Sequence, residues 1–349
     1  MSHDAADILR ELGKDRRLIV RSVDPLNVET PLESLEGAIT PLSLFFIRNN
    51  DNIPRIATDS WTLTIDGLVE RPLTITYAEL RRLPAISYVA VLQCSGNSRA
   101  RFAAQGPEPE GIQWGNGAIG NAEWVGVPVR TLLERAGVRP GALQAECIGG
   151  DADRTTRGVE VTKLMDDAIL AYAMNGEPLP VIHGGPVRLI VPGWGGINSI
   201  KWIVGMRLIP HESASKYNQQ KYVIEDAAGN RLGKVREIAV NSVISNIRTE
   251  QRLSAGPVVV RGYAWAPSGI ARVEISTDGG DSWHAARLMA DLGPRSWRQW
   301  EWIWEATPGT HVLAARATDR AGNVQPEAVA YNRQGYLMNA IERVTVTIA

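Results

Sequence analysis

An apolar run, Tyr88-Val-Ala-Val-Leu-Gln-Cys94, ends on a cysteine, and Ser-Gly-Asn-Ser-Arg99-Ala-Arg101 follows it. The thiolate is the form of cysteine that ligates a soft metal, and nearby cations favour it. Gly96 and Asn97 admit tight backbone geometry, so this loop suits a thiolate presented beside positive charge. A lone cysteine is equally at home as a small buried hydrophobe, and its neighbours leave both readings open. Leu44-Phe-Phe-Ile-Arg48-Asn-Asn50 ends a second apolar run on an arginine, for which a solvated surface group is the ordinary alternative. A third run, His183-Gly-Gly-Pro-Val-Arg188 continuing to Ser199-Ile-Lys201, sets three anion donors about one glycine-rich strand–loop–strand. Forked arginine contacts and a lysine point charge suit a phosphate-bearing ligand. The glycines match neither the P-loop nor the dinucleotide fingerprint, so ATP and NAD are not indicated.

The elements that position these runs follow from pattern. Asp4 to Leu12 reads as a short amphipathic helix, capped by Asp4 and stopped by Gly13. Leu18 to Ser43, broken by Pro25, Pro31 and Pro41, reads as an extended strap over a domain surface. Ser60 to Val69 alternates as a strand, and Thr76-Tyr-Ala-Glu79 has capping-box spacing. Gln105 to Gly120 is a Gly/Pro-rich loop carrying Trp114, as a packing plug or a pocket wall. Val127-Pro128 opens a helix that Gly137 ends, and Cys147 lies in a short strand as core. Gly149 to Arg154 is a loop in which an acid such as Asp151 serves a turn or accepts from a ligand.

From about Val240 the pattern changes to short strands between turns, with Asp278-Gly-Gly as a hairpin signal. That is the pattern of an immunoglobulin-like sandwich. Trp300, Trp302 and Trp304 share one strand face, facing either a core or a subunit interface. At 349 residues, two domains are expected. A net charge of −1 gives no reason for nucleic acid or an anionic membrane as partner. Two cysteines make a disulfide framework or an iron–sulfur cluster unexpected, and no CxxCH motif marks a haem. The N-terminus carries no leader, so the sequence as it stands reads as cytoplasmic, or periplasmic if a leader preceded it.

Taken together, Leu-Gln-Cys94-Ser-Gly-Asn-x-Arg99, Phe-Phe-Ile-Arg48-Asn and Asn175-Gly-Glu-Pro-Leu-Pro-x-x-His183-Gly-x-Pro-x-Arg188 resemble the sulfite oxidase family of molybdenum enzymes. Asn198-Ser-Ile-Lys201-Trp202 and Tyr331-Asn-Arg-Gln-Gly335-Tyr extend the resemblance along nearly the whole chain. It implies an α+β protein: a mixed α/β molybdopterin domain over residues 1–235, then an all-β immunoglobulin-like dimerisation domain over 236–349. The implied cofactor is molybdenum-molybdopterin without haem, with Cys94 as the protein ligand to the metal. Arg48, Arg99, Trp114 and Tyr222 would border the oxyanion site. Phe45, Arg48, Asn50, Asp151, His183, Arg188, Ser199, Ile200 and Lys201 would hold the pterin and its phosphate. The implied reaction is sulfite to sulfate in a homodimer, with electrons leaving to a separate acceptor such as a c-type cytochrome. Another sulfur-compound dehydrogenase activity, or nitrate reduction, is the alternative within the family. Asn50 stands where relatives often carry histidine, and Gln334 stands where eukaryotic members carry a further arginine, with Arg333 one position earlier. Arg101 matches no role in the family and reads as a surface or loop-bracing charge.

Overall fold

Strand Ile86–Gln93 pairs antiparallel with Ile119–Pro128, from Ile86 opposite Gly126 to Gln93 opposite Ile119. Its first residues are exposed and its last four buried, so the strand dives inward and delivers Cys94 to the interior. The computed structural model describes residues 5–349, so the cap expected from Asp4 lies outside the described residues. The sheet continues through Ile169–Met174, onto which both Glu177–Pro178 and Arg188–Ile190 pair. A second five-stranded sheet runs Leu73–Thr76, Thr62–Gly67, Ile203–Ile209, Gln144–Gly149, Thr156–Glu160, parallel only between the second and third strands. Helix Val129–Ala136 turns Val129, Leu132, Leu133 and Ala136 inward, the spacing of one helical face. These four side chains join the core formed by Leu63, Ile65, Leu189 and Met206. Gly137 ends the helix at φ +70°, its N–H bonded back to Leu133, and the Thr76–Glu79 capping box forms as expected.

The strap lies on the surface along its first strand but not its second. Ile19–Val23 and Leu26–Glu29 form an antiparallel ribbon, and every residue of the second strand is buried. The segment is extended, as its proline content predicts, and the prolines sit outside the two ladders. Leu26 and Val28 join Leu9, Leu18, Ile47 and Ile182 in one apolar cluster, so the N-terminal segment packs behind both the Arg48 and His183 runs. The buried Glu29 carboxylate accepts from the backbone N–H groups of Gly115 (3.0 Å) and Gly117 (2.8 Å) and pairs with Arg21.

The C-terminal strands form two sheets, of four and five strands, that face each other across a core containing Val260, Trp300, Trp304, Ile275, Leu313 and Val346. Trp300 and Trp304 are buried and Trp302 packs against the same cluster, so the tryptophan face is core. Gly279 and Gly280, at φ +80° and +114°, turn the chain after Ile270–Ser276. The sandwich grips the Cys94 strand: Trp265 Nε1 donates to Gln93 Oε1 at 2.8 Å, and Val91 N donates to Arg295 O at 2.9 Å. Among the described residues, no helix is long and apolar enough to cross a membrane.

Candidate active site

Cys94 opens a compact loop. Its N–H donates to Ala118 O, its carbonyl accepts from Asn97 N, and Asn97 Oδ1 accepts from Ala118 N at 2.8 Å. Ser98 adopts a left-handed φ of +65° and starts the 3₁₀ turn Arg99–Ala104. Cys94 is thereby fixed where a deep pocket of about 750 Å³ meets an open cavity of about 1660 Å³. Cys147 sits apart in strand Gln144–Gly149, fully buried, and burial pushes its thiol up. It is core.

The deep pocket is cationic. Arg188 spends two nitrogens on the carbonyls of His183 (2.7 Å) and Ser199 (2.9 Å), while its Nε has no partner. Lys201 reaches Asn49 Oδ1 and the carbonyl of Ile182. Behind His183 lies Lys14, whose ammonium approaches His183 Nε2 at 2.6 Å. Burial pushes Arg188 down to about 9 and Lys14 down to about 7. Burial first, then the surrounding cations, drives His183 and Lys201 well below their ordinary values. Asp151 is the carboxylate on this wall, and its oxygens are taken by Thr155 N (2.8 Å) and Oγ1 (2.5 Å). Buried like charges with so little compensation are costly unless an anion joins them. Ser95 Oγ, also on the wall, is buried without a partner. At Gly196 a Cβ would stand 2.9 Å from Gln93 O, so glycine keeps the pocket floor clear. These residues fit a buried, phosphate-bearing cofactor.

The open cavity carries Arg48, Arg99, Tyr222, Gln334 and Tyr336. Arg99 donates from Nε to Gln334 O and from Nη1 to Ile112 O, both at 2.9 Å, and its guanidinium lies over the Tyr336 ring at 5.2 Å. Gly96, Gly111 and Gly335 sheathe it: a Cβ on any of them would come within 2.4 to 2.7 Å of its side chain. Tyr222 and Tyr336 stack at 5.3 Å. Arg48 donates to Asn50 Oδ1 at 2.6 Å. Burial pulls the Arg48 guanidinium down, but the facing Tyr222, Cys94, Tyr336 and Tyr217 outweigh it and hold the cation up.

Phe45, Arg48, Asn50, Cys94, Asp151, His183, Arg188, Ser199, Ile200, Lys201 and Tyr222 all line the deep pocket. Arg99 lines the cavity that shares Arg48, Asn50, Cys94 and Tyr222 with it. Trp114 lines neither; it is wholly buried in the apolar cluster that includes Cys94, Phe45 and Trp124. Trp114 O accepts from Ala100 N, which ties this part of the glycine-rich loop to the Arg99 turn, while the ring packs in that cluster. Arg101 braces the carbonyls of Ala340 and Ile341, as a loop-bracing charge should. Arg333 is exposed, and the Gln334 side chain is engaged by Glu225 at 2.6 Å. Sequence reading missed Lys14, Ser95 and Tyr336. Tyr336 had a signal, two residues beyond Gln334, but nothing near Lys14 pointed to His183.

Residues 50–217 match the oxidoreductase molybdopterin binding domain, and residues 233–349 match the Mo-co oxidoreductase dimerisation domain. Sulfite oxidase of Gallus gallus is 36% identical, covering 93% of this chain and 77% of that protein. The chain belongs to the sulfite oxidase family. Mitochondrial sulfite oxidase of Homo sapiens is 34% identical over 95% of this chain and 66% of its own length. Nitrate reductase [NADH] 2 of Phaseolus vulgaris is 33% identical, but the chain spans only 41% of it. The crystal structure of the sulfane dehydrogenase SoxCD from Paracoccus pantotrophus superimposes with a TM-score of 0.87 at 32% identity, covering 96% of this chain and 87% of that one. The α+β architecture with a β-rich C-terminal domain is therefore that of the sulfite oxidase family, and the chain is an oxidoreductase of that family with a molybdenum cofactor. Its dimerisation domain supports a homodimer.

Proposed function

We propose that this oxidoreductase oxidises sulfite to sulfate. The observation that carries the reading is the convergence of Arg48, Arg99 and Tyr222 on the cavity that ends at Cys94, beside the cation-lined pocket. Cys94 would hold the metal. His183, Arg188 and Lys201 would take the phosphate, while Phe45, Asn50, Asp151, Ser199 and Ile200 would wall the pterin. When bound, the cofactor supplies oxygen-atom transfer and takes up two electrons, so that sulfite and water give sulfate, two protons and two electrons. Arg48 and Arg99 offer forked, charge-assisted donors to a doubly charged oxyanion and hold it at the Cys94 end of the cavity. The Tyr222 hydroxyl donates to an oxyanion oxygen and assists proton movement. Trp114 supports the Cys94 loop from below. Electrons pass to a separate acceptor, for which a small c-type cytochrome is our assignment. We place the cofactor domain in residues 1–235 and the dimerisation domain in 236–349.

A second reading is oxidation of a larger sulfur compound. It is favoured by Gln334, whose side chain is spent on Glu225 and adds no positive charge to the cavity. Steady-state turnover with sulfite, thiosulfate and nitrate, each with a redox dye, separates these readings. Sulfite turnover well above the other two supports the first; turnover with nitrate alone overturns both.

A further inference from the structure

Lys14 is a buried lysine, 9% exposed, that no catalytic step uses. Its ammonium makes three contacts: Leu42 O at 2.5 Å, Phe45 O at 3.3 Å and His183 Nε2 at 2.6 Å. In its charged form, which a bound anion favours over the neutral amine, the lysine ammonium has three N–H donors and no acceptor. Carbonyl oxygens only accept, so two protons are committed to Leu42 and Phe45, and the third points at Nε2. Nε2 must then present its lone pair. Which ring nitrogen of a neutral histidine carries the proton is set by the bond the other one makes.

We infer that Lys14 is a positioning residue, which locks His183 as the Nδ1–H tautomer so that a neutral imidazole donates a hydrogen bond to the anionic group of the cofactor. The inference rests on the reading that the deep pocket holds that cofactor. His183 lines the pocket, and no described residue is bonded to its Nδ1. The opposite tautomer would turn a lone pair toward the anion and repel it. The same ammonium fixes the Phe45 carbonyl, and the Phe45 ring packs edge-on against His183 at 5.3 Å. Lys14 is itself held by its N–H to Leu9 O at 2.8 Å, which closes helix Ala5–Glu11, and by the cluster of Leu9 with Ile47 and Ile182. The N-terminal segment is thus part of the cofactor site, not a wrapping around it.

The test is nitrogen NMR of the holoenzyme labelled with ¹⁵N-histidine, with His183 assigned among the five histidines through His183→Asn. Metal analysis of the same samples gives the molybdenum content. In buffer on the acid side of about 7, the value to which burial pushes Lys14, wild-type protein is expected to show a neutral His183 protonated at Nδ1. In Lys14→Met no donor faces the Nε2 lone pair, so the Nδ1–H tautomer loses its preference and molybdenum per chain falls several-fold. A wild-type His183 protonated at Nε2 overturns the inference, and so does an unchanged tautomer in Lys14→Met. If Lys14→Met fails to fold, the wild-type tautomer decides alone. Wild-type protein without molybdenum would overturn the cofactor reading, while the tautomer still decides the role of Lys14.

Discussion

Arg99 Nε donates to the backbone carbonyl of Gln334 at 2.9 Å, joining residues 235 positions apart in the chain. The C-terminal segment therefore aims the arginine of the Cys94 loop. Gly335, at φ +60°, lies against the stem of Arg99, and a Cβ there would stand 2.6 Å from Arg99 Cγ. Gly335→Ala must move that side chain and adopt a left-handed backbone, which costs on the order of 1–3 kcal/mol. We expect the sulfite KM to rise about tenfold or more, the equivalent of ~1.4 kcal/mol, with molybdenum content unchanged. Steady-state kinetics with metal analysis checks this. Arg99→Met sets the ceiling, at roughly a hundredfold, because it removes the charged partner itself.

Cys94→Ser removes the thiol that lines both pockets while leaving the Ala118 and Asn97 backbone bonds of its loop intact. Turnover is expected to vanish, with circular dichroism and released pterin close to wild type. Full activity would sink the ligand assignment.

Glu29 is buried at 2% exposure and satisfies Gly115, Gly117 and Arg21 together. Glu29→Ala strands the N–H groups of Gly115 and Gly117 while the exposed Arg21 turns to water, and each buried donor left unpaired costs about 1–3 kcal/mol. Urea denaturation should show a matching fall in unfolding free energy. A loss below about 1 kcal/mol, as for an exposed pair, would contradict this account.

Lys14 is pushed down to about 7 from its ordinary 10.5 by burial, and Lys201 is depressed as well. Between about pH 7 and 10 the unfolded chain then binds protons that the folded, cofactor-free protein does not. Stability of the cofactor-free protein therefore rises with pH across that window. A bound anion favours the charged lysines and flattens the rise. Urea midpoints from pH 7 to 9 should climb for cofactor-free protein and climb less for the holoenzyme. Equal slopes would mean that the anion does not sit among these cations.

Much of this site was legible because its residues lie in local patterns. The Cys94 strand, the Thr76 box, the Gly137 stop and the Asp278 turn depend on a few neighbouring residues, and each formed. Cys94, Arg48 and His183 became candidates through short motifs read together. The misses were non-local. Lys14 acquires meaning only when Leu42, Phe45 and His183 close around it, and His183 lies 169 positions away. The Leu18–Ser43 ribbon was hidden because its prolines flank the paired residues, and its burial comes from partners such as Ile47 and Ile182. Trp114 was expected at the oxyanion wall, and its burial comes from packing with Phe45 and Trp124, distant partners that no pattern in the glycine-rich stretch announces.

The central claim is that sulfite reaches a molybdenum centre held by Cys94 between the two arginines. Anaerobic addition of sulfite to oxidised, molybdenum-replete protein tests it directly, with the optical spectrum and sulfate followed together. The account predicts reduction of the centre with one sulfate formed per molybdenum. A molybdenum-replete protein that sulfite leaves oxidised, while nitrate reoxidises its chemically reduced form, would contradict it.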